Sequence, residues 1–131
     1  MRVLVCGGRD HQDRDRVFAT LDEMHSQRCI TEVIHGACGW DADKPGLHTV
    51  ENLRGADRWA HEWALEARSQ PRPYPASWST LGRSAGPIRN QRMLDEGEPD
   101  VVVAFPGGRG TADTVRRATV AGVEVRKGRT R

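Results

Sequence analysis

Short apolar segments alternate with amphipathic segments along this chain, and the alternation limits the folds that the chain can adopt. Short β-branched segments have the length of buried strands, and apolar residues spaced by three or four predict helices. The predicted strands are Arg2–Cys6, Glu32–His35, Arg72–Pro75, Val101–Phe105 and Val123–Val125. The predicted helices are Asp13–Ser26, Gly55–Ser69, Ile88–Glu96 and Thr111–Ala121. The third strand is the weakest prediction, because prolines flank it and proline has no N–H to donate.

Alternation of strands and helices favours a parallel sheet with helices on both faces. Because the crossovers in such sheets are right-handed, we expect a Rossmann-like, doubly wound α/β fold of about five strands in the order 3-2-1-4-5. Ligands of such sheets bind at the carboxyl ends of the strands, where the strand order reverses. Here that point lies between the first and fourth strands.

One segment interrupts the alternation. The length of 131 residues fits one domain, so we expect a single domain over residues 1–131. Residues 38–54 contain glycine and proline but little periodicity. They lie between a strand and a helix, where a connection of about 2–6 residues is usual. We therefore expect an inserted loop that is either functional, as a lid or a partner surface, or disordered.

Composition excludes several protein classes. The hydrophobic fraction is 37%, and no apolar run approaches the ~20 residues of a membrane span. Gly7 and Gly8 follow the first strand too soon for a signal peptide, and the three cysteines have neither disulfide nor zinc spacing. We therefore expect a cytoplasmic protein that has no metal, no cofactor and no membrane partner. The basic tail, residues 126–131, is expected to be a frayed end.

The charge balance bears on possible partners. The net charge is only +2, which makes nucleic acid an unexpected partner, because duplex-binding proteins usually have a stronger basic excess. Arginine supplies 18 of the 20 basic residues. Arginine suits bidentate binding of phosphate or carboxylate, although a GC-rich genome would produce the same excess.

Three glycine-rich turns fall at predicted strand ends. The first contains Gly7, Gly8, Arg9 and Asp10. Glycines let the backbone approach a ligand, Arg9 could bind a phosphate, and Asp10 could accept from a ribose hydroxyl. The dinucleotide pattern G-x-G-x-x-G is absent, and a tight turn with surface charges is the alternative.

The second turn is His35-Gly36-Ala37, and Gly55 and Asp57 join it if the inserted loop folds outward. Asp57 is a candidate ligand-binding carboxylate. It could equally be a favourable charge in the first turn of its helix. His35 is either a ligand-binding residue or a core histidine.

The third turn, residues 105–111, has three glycines in four positions between the clearest strand and a helix. Pro106, Gly107, Gly108, Arg109 and Gly110 allow close approach of a phosphate, and the Thr111 hydroxyl could donate to it. The pattern is not that of a P-loop. Just upstream, Arg89 and Asn90 lie near a helix start, where they could reach the same crevice or form a solvated face.

These motifs together resemble the SLOG superfamily of Rossmann-like nucleotide-ligand-binding domains, in its YspA-like, YpsA-related branch. The resemblance covers nearly the whole chain. Its motifs are Gly7-Gly8-Arg9-Asp10, His35-Gly36-Ala37, Gly55-Ala56-Asp57-Arg58, residues 86–93 and residues 105–113. It implies a site that binds a nucleotide or an ADP-ribose-like derivative, with the phosphate on the N–H groups of residues 108–111.

The chain is more distantly similar to the LONELY GUY phosphoribohydrolases, which cleave the N-glycosidic bond of nucleoside monophosphates. Arg89 and Met93 match the family pattern R-K-x-x-M, with Asn90 in place of lysine. Residues 106–111 match P-G-G-x-G-T, but Thr114 stands where the catalytic glutamate would be. Threonine cannot serve as the acid or base of that reaction.

Three functions follow as hypotheses. The first is a nucleotide-binding or sensor domain. The second is a phosphoribohydrolase with Arg89 and Asp113 as candidate catalytic residues, or with Asp10 or Asp57 replacing the missing glutamate. The third is a single-stranded nucleic-acid module similar to DprA, for which Trp40 and Trp78 are candidate stacking platforms.

The helix predicted from Gly55 indicates an assembly. Trp63 and Leu65 lie ~200° apart around it, so both cannot face one sheet. One of them is left for the inserted loop or for a partner. Because members of the resembled superfamily commonly form dimers, we expect a homodimer.

Overall fold

The computed structural model describes residues 1–128 and contains a parallel sheet with helices on both faces. The strands are β1 (Arg2–Cys6), β2 (Glu32–His35), β3 (Gln70–Pro73), β4 (Val101–Ala104) and β5 (Glu124–Lys127). The helices are α1 (Arg14–Gln27), α2 (Gly55–Ala67), α3 (Trp78–Leu81), α4 (Ala85–Gly97) and α5 (Arg109–Val120). The strand order is β3-β2-β1-β4-β5, so the predicted fold class and order are confirmed.

Alternate residues of the central strands pack into two different layers. Val3 and Val5 point to the layer formed with α1 and α2, where Trp63 is the largest buried side chain. Leu4 and Cys6 point to the other layer, formed with α4 and α5. Because both faces of these strands are buried, their sequences are continuous apolar runs.

The edge strands differ most from their predicted positions. β3 begins at Gln70 rather than Arg72, because Gln70 and Tyr74 donate their N–H groups to β2 and its flanking residue Thr31. The prolines occupy alternate positions, 71 and 73, where an edge strand needs no N–H. β5 is displaced to Glu124–Lys127 and so includes the first residues of the basic tail. Arg126 and Lys127 are therefore paired with β4 rather than frayed, and residues 129–131 of the tail lie outside the described residues.

Residues 38–54 are folded rather than disordered. Short 3-10 turns, Pro45–Leu47 and Val50–Asn52, lie within the segment, and Arg54 N–H donates to Cys38 O at its base (2.9 Å). Trp40 and Leu53 are buried together with Ala37 in a small cluster of their own. The segment also makes contact with α3, which the sequence did not predict.

None of the helices within residues 1–128 has the length and apolar character needed to cross a bilayer.

Replacing Gly55 with alanine is expected to destabilise the fold. Gly55 has φ +62°, and a Cβ there would lie 2.1 Å from the carbonyl oxygen of Gly8. The left-handed backbone and the overlap together should lower the free energy of unfolding by roughly 2 to 5 kcal/mol. Gly46→Ala is the matched control, because a Cβ there meets nothing within 4 Å. Urea denaturation of both variants checks this, and equal losses of stability would contradict it.

Candidate functional site

Two glycine turns meet where the carboxyl ends of β1 and β4 lie side by side. Phe105 N–H donates to Cys6 O (2.8 Å), and Gly8 N–H donates to Pro106 O (2.9 Å). A Cβ on Gly8 would lie 3.2 Å from the Cα of Gly107, so the turns pack backbone against backbone. The contact lies at the point where the strand order reverses, as expected for a ligand site of such a sheet.

A cleft of about 710 Å³ opens above these turns. Its walls are residues 7–11 after β1, Gly36, Cys38 and Gly39 after β2, the start of α4, and residues 106–111, which include the first turn of α5. The volume lies within the range of pockets that hold small ligands.

The amino end of α5 presents free amide groups to this cleft. Its first intrahelical bond runs from Ala112 N–H to Gly108 O (3.1 Å), and no side chain caps the helix. The N–H groups of Arg109, Gly110 and Thr111 precede that bond and meet no acceptor within residues 1–128. Such amides, together with the helix dipole, attract anions.

Arg89 is the cation at the back of the cleft. Its guanidinium donates from Nη1 to the carbonyl oxygen of Gly36 and from Nε to Oδ1 of Asn90 (2.8 Å). Burial lowers the pKa of Arg89, and the negative charge of Asp57 opposes that change. Within residues 1–128, no carboxylate lies within 4 Å of its nitrogens. The charge of Arg89 is therefore oriented by neutral acceptors and is not paired in contact with a carboxylate.

Asp57 is a buried carboxyl in the same cleft. It lies in the first turn of α2, only 7% exposed, and its Oδ2 accepts from Cys38 N–H (3.0 Å). Burial raises its pKa from 3.8 to about 6, although Arg89 and the backbone N–H groups of Cys38 and Gly36 act in the opposite direction. A carboxyl with this pKa can hold or release a proton near neutral pH.

His35 lies beneath the cleft and is completely buried. Its Nδ1 accepts from Ala37 N–H (3.0 Å), so its Nε2 carries the proton that it donates to Nδ1 of His61 (2.9 Å). Burial lowers the pKa of His35 to about 3, and His61 and Arg89 add to the effect. A neutral histidine pair therefore supports the second glycine turn.

Asp113 lies in a network behind the cleft. It accepts from Nδ2 of Asn90 (3.0 Å) and from Nε of Arg117 (2.8 Å), and it pairs with Arg116. Burial acts to raise the pKa of this carboxyl, but the hydrogen bonds from Arg117 and Asn90 and the charges of Arg117 and Arg116 together lower it. The carboxylate holds Asn90, which in turn accepts from Arg89.

Comparisons with known proteins identify the family of the chain. The profile of the family described as "YAcAr: YspA, cpYpsA-related SLOG family" matches residues 1–45. The chain is 36% identical to the Gene 61 protein of Mycobacterium phage D29 over 132 residues, which cover 95% of this chain and 93% of that protein. The chain belongs to the YspA, cpYpsA-related SLOG family.

In this SLOG family member, most of the predicted site residues line one cleft. They are Gly7, Gly8, Arg9, Asp10, Gly36, Asp57, Arg89, Asn90, Pro106, Gly107, Gly108, Arg109, Gly110 and Thr111. Residues from all the predicted turns and from α4 are thus brought together. That they contact a ligand stays a prediction.

The other predicted site residues lie outside the cleft wall. His35 and Ala37 form the support beneath it, and Gly55 packs against the carbonyl of Gly8. Asp113 lies behind Asn90. Their positions in the structure suit them to hold other residues in place.

Several cleft residues escaped the sequence analysis as site residues. They are Val5, Cys6, His11, Cys38, Gly39, Met93 and Thr114, whereas Trp78, which also lines the cleft, was predicted only as a platform for single-stranded nucleic acid. His11 carried no motif, yet its ring packs on Phe105 (5.5 Å between centroids) and its buried Nε2 has no partner within residues 1–128. The position of His11 directly after the first glycine turn is the sequence feature that could have identified it as a site residue.

The pH dependence of stability should reveal the buried Asp57 carboxyl. The folded state keeps a proton on Asp57 between pH 3.8 and about 6 that the unfolded state has lost, so its contribution to stability falls as pH rises through that window. Asp57→Asn has no proton to lose. The variant should therefore gain about 3 kcal/mol relative to the wild type across the window.

Chemical denaturation of both proteins at pH 4, 5, 6 and 7 measures this difference. His35 and His61 have lowered pKa values and give a pH dependence of the opposite sign, but they are present in both proteins. A difference in stability that stays constant with pH would contradict the buried position of Asp57.

Proposed function

We propose that this SLOG family member binds a nucleotide or a nucleotide-derived anion such as ADP-ribose at the carboxyl ends of β1 and β4. The supporting observation is the meeting of three elements at one cleft: the glycine turns at Gly8 and Gly107, the open amides at the start of α5, and the Arg89 guanidinium. The phosphate lies on the N–H groups of residues 108–111, with Arg89 as its countercharge.

The backbone shape supports this placement of the phosphate. A Cβ on Gly108 or Gly110 would meet nothing within 4 Å, so the backbone is open to a ligand at these positions. The Thr111 hydroxyl packs against Gly107, where a Cβ would lie 2.2 Å from Oγ1. A hydroxyl in the first turn of α5 adds a donor beside the free amides.

The carboxyls on the other side of the cleft suit a ribose. Asp10 is exposed after the first glycine turn, and Asp57 is buried at the start of α2. Either can accept from a sugar hydroxyl, while the phosphate lies on α5. The ligand therefore lies across the β1 and β4 turns.

A second candidate function is hydrolysis of an N-glycosidic bond, and Asp57 is the observation that favours it. Thr114, at the position of the missing glutamate, is buried and donates to Gly110 O (3.1 Å). Asp113 is held by Arg117 behind Asn90. Asp57 alone among the three proposed carboxyls combines burial in the cleft with a pKa raised to about 6, as a general acid requires.

Nucleic-acid binding gains less support. Of the two proposed aromatic platforms, Trp40 is only 8% exposed, donates to Thr49 O and stacks on His48, so its assignment as a platform was wrong. Trp78 is 41% exposed.

The homodimer stays a prediction. Trp63 packs in the core against α1, donating to Oδ1 of Asp22, and Leu65 is the exposed member of the pair.

Thermal shift measurements test the binding function. Nucleoside monophosphates, ADP-ribose or cyclic nucleotides at millimolar concentration should raise the melting temperature by about 3 °C or more. Arg89→Gln should weaken binding of the stabilising compound by about 10- to 100-fold, because a charged hydrogen-bond donor is lost. Arg92→Gln is the control, since Arg92 lies on the same helix but pairs with Glu96 outside the cleft.

Two results would count against this function. One is a melting temperature that no anionic nucleotide changes. The other is an Arg89→Gln variant that binds as tightly as the Arg92→Gln control.

Chromatography of nucleoside monophosphates after long incubation with the protein tests hydrolysis. Hydrolysis predicts free base, released at a rate that Asp57→Asn lowers by about 100-fold or more because the general acid is removed. Binding of the nucleotide is measured on the same samples. Bound nucleotide without released base would exclude the hydrolase and leave the binding function in place.

A further inference from the structure

A second cavity of about 380 Å³ adjoins the cleft and is formed largely by the inserted segment, residues 38–54. It is lined by Trp40, Asp41, Glu51, Asn52 and Arg54 from that segment, and by Trp78 from α3. Arg9, Cys38, Gly39 and Trp78 line both spaces, so the cavity and the cleft are adjacent.

Trp78 lines both spaces, and this residue is 41% exposed. The ring rests on Gly86 of α4, where a Cβ would lie 3.1 Å from its Cη2 atom. Trp40 is 8% exposed and Trp63 is 2% exposed. Trp59 is partly buried, packs against the core and lines neither space. Trp78 is thus the indole that offers surface to a ligand.

The inserted segment holds α3 in position. Oδ2 of Asp41 accepts from the backbone N–H (3.1 Å) and the hydroxyl (2.5 Å) of Ser79, and Oδ2 of Asp43 accepts from Thr80 N–H (3.0 Å). Ala42 N–H also donates to Ala76 O (2.9 Å). These bonds surround Trp78 in the sequence, so they fix the backbone from which its ring projects.

We propose that Trp78 stacks on the nucleobase of the bound ligand and that the inserted segment walls the space that receives the base. This inference rests on the proposed function, since it places the phosphate on α5. An uncharged aromatic face suits a flat base, and every base has such a face. The cavity also offers guanidinium donors from Arg9 and Arg54 and an acceptor from Glu51, which can pair with the polar edge of a base.

The affinities of AMP, GMP, CMP and UMP are compared with that of ribose 5-phosphate, which has the same phosphate and sugar but no base. Isothermal titration of the full chain measures each. At least one nucleotide should bind more tightly than ribose 5-phosphate. Trp78→Ala should weaken the binding of that nucleotide by about 5- to 100-fold and leave the affinity for ribose 5-phosphate unchanged. Trp78→Phe should retain most of the affinity for the nucleotide.

Fluorescence gives a separate reading of the same contact. A stacked base should quench the indole emission of the wild type, and the quenching should disappear in Trp78→Phe although that variant still binds. Leu81→Ala is the matched control, because Leu81 is exposed on the same helix and lines neither space. It should leave both affinities unchanged.

Asp41 is a positioning residue, so its effect should depend on Trp78. Asp41→Ala should reduce the preference for the nucleotide over ribose 5-phosphate in the wild type, with no further reduction in Trp78→Ala. Equal effects of Asp41→Ala in both backgrounds would overturn this part of the inference.

The outcomes separate the two levels of the proposal. If ribose 5-phosphate and the nucleotides bind equally, or if Trp78→Ala weakens both alike, base stacking is overturned while phosphate binding stands. If neither ribose 5-phosphate nor any nucleotide binds, the proposed function and the inference both fail.

Discussion

The backbone N–H and C=O groups of Gly8 join three elements, and the geometry of the cleft depends on them. Its N–H donates to Pro106 O across the β1 and β4 turns, and its carbonyl accepts from His11 N–H (3.1 Å) and from Ala56 N–H (3.4 Å) at the start of α2. Such convergence needs backbones in contact, since a Cβ on Gly7 would lie 2.6 Å from that of Ala56. Glycine at these turns is therefore a packing requirement, and the amino ends of α2 and α5 face one cleft as a result.

The sequence predicted the central layer well, because the signals there are local. β1 and β2 have the predicted bounds, and Asp13 caps α1 by accepting from Arg16 N–H (3.0 Å). The glycine turns lie where strand order reverses, so topology alone places most candidate site residues together. The edge strands were predicted less well, since their bounds depend on which amides find a partner on the neighbouring strand.

The parts that the sequence could not give depend on contacts between distant segments. No local pattern marks α3, because it is held by Asp41 and Asp43 from a segment about forty residues earlier in the chain. The buried state of Asp57 likewise depends on the fold of residues 38–54, whose Cys38 N–H reaches it. The sequence did not decide whether Asp57 is a favourable charge in the first turn of its helix or a ligand-binding residue. Its burial, which raises the pKa, is a property of the folded state alone.

The charge interaction between Arg89 and Asp57 makes the protonation of Asp57 depend on the charge of a ligand bound at Arg89. Arg89 lowers the pKa of Asp57, and burial raises it. An anion bound at Arg89 would add negative charge beside the carboxyl. That charge would oppose the effect of the guanidinium, which lowers the pKa of Asp57. The neutral form of Asp57 would then be favoured, and a neutral carboxyl can donate a hydrogen bond to the ligand. Because Asp57 lies on α2 while the amides lie on α5, such a donor would reach a ligand from a different wall of the cleft than the amides. An acid at position 114, on α5 itself, would reach it from the wall that carries the amides. The two arrangements present different ligand atoms to the acid, so an acid at position 57 and one at position 114 would protonate different parts of a ligand.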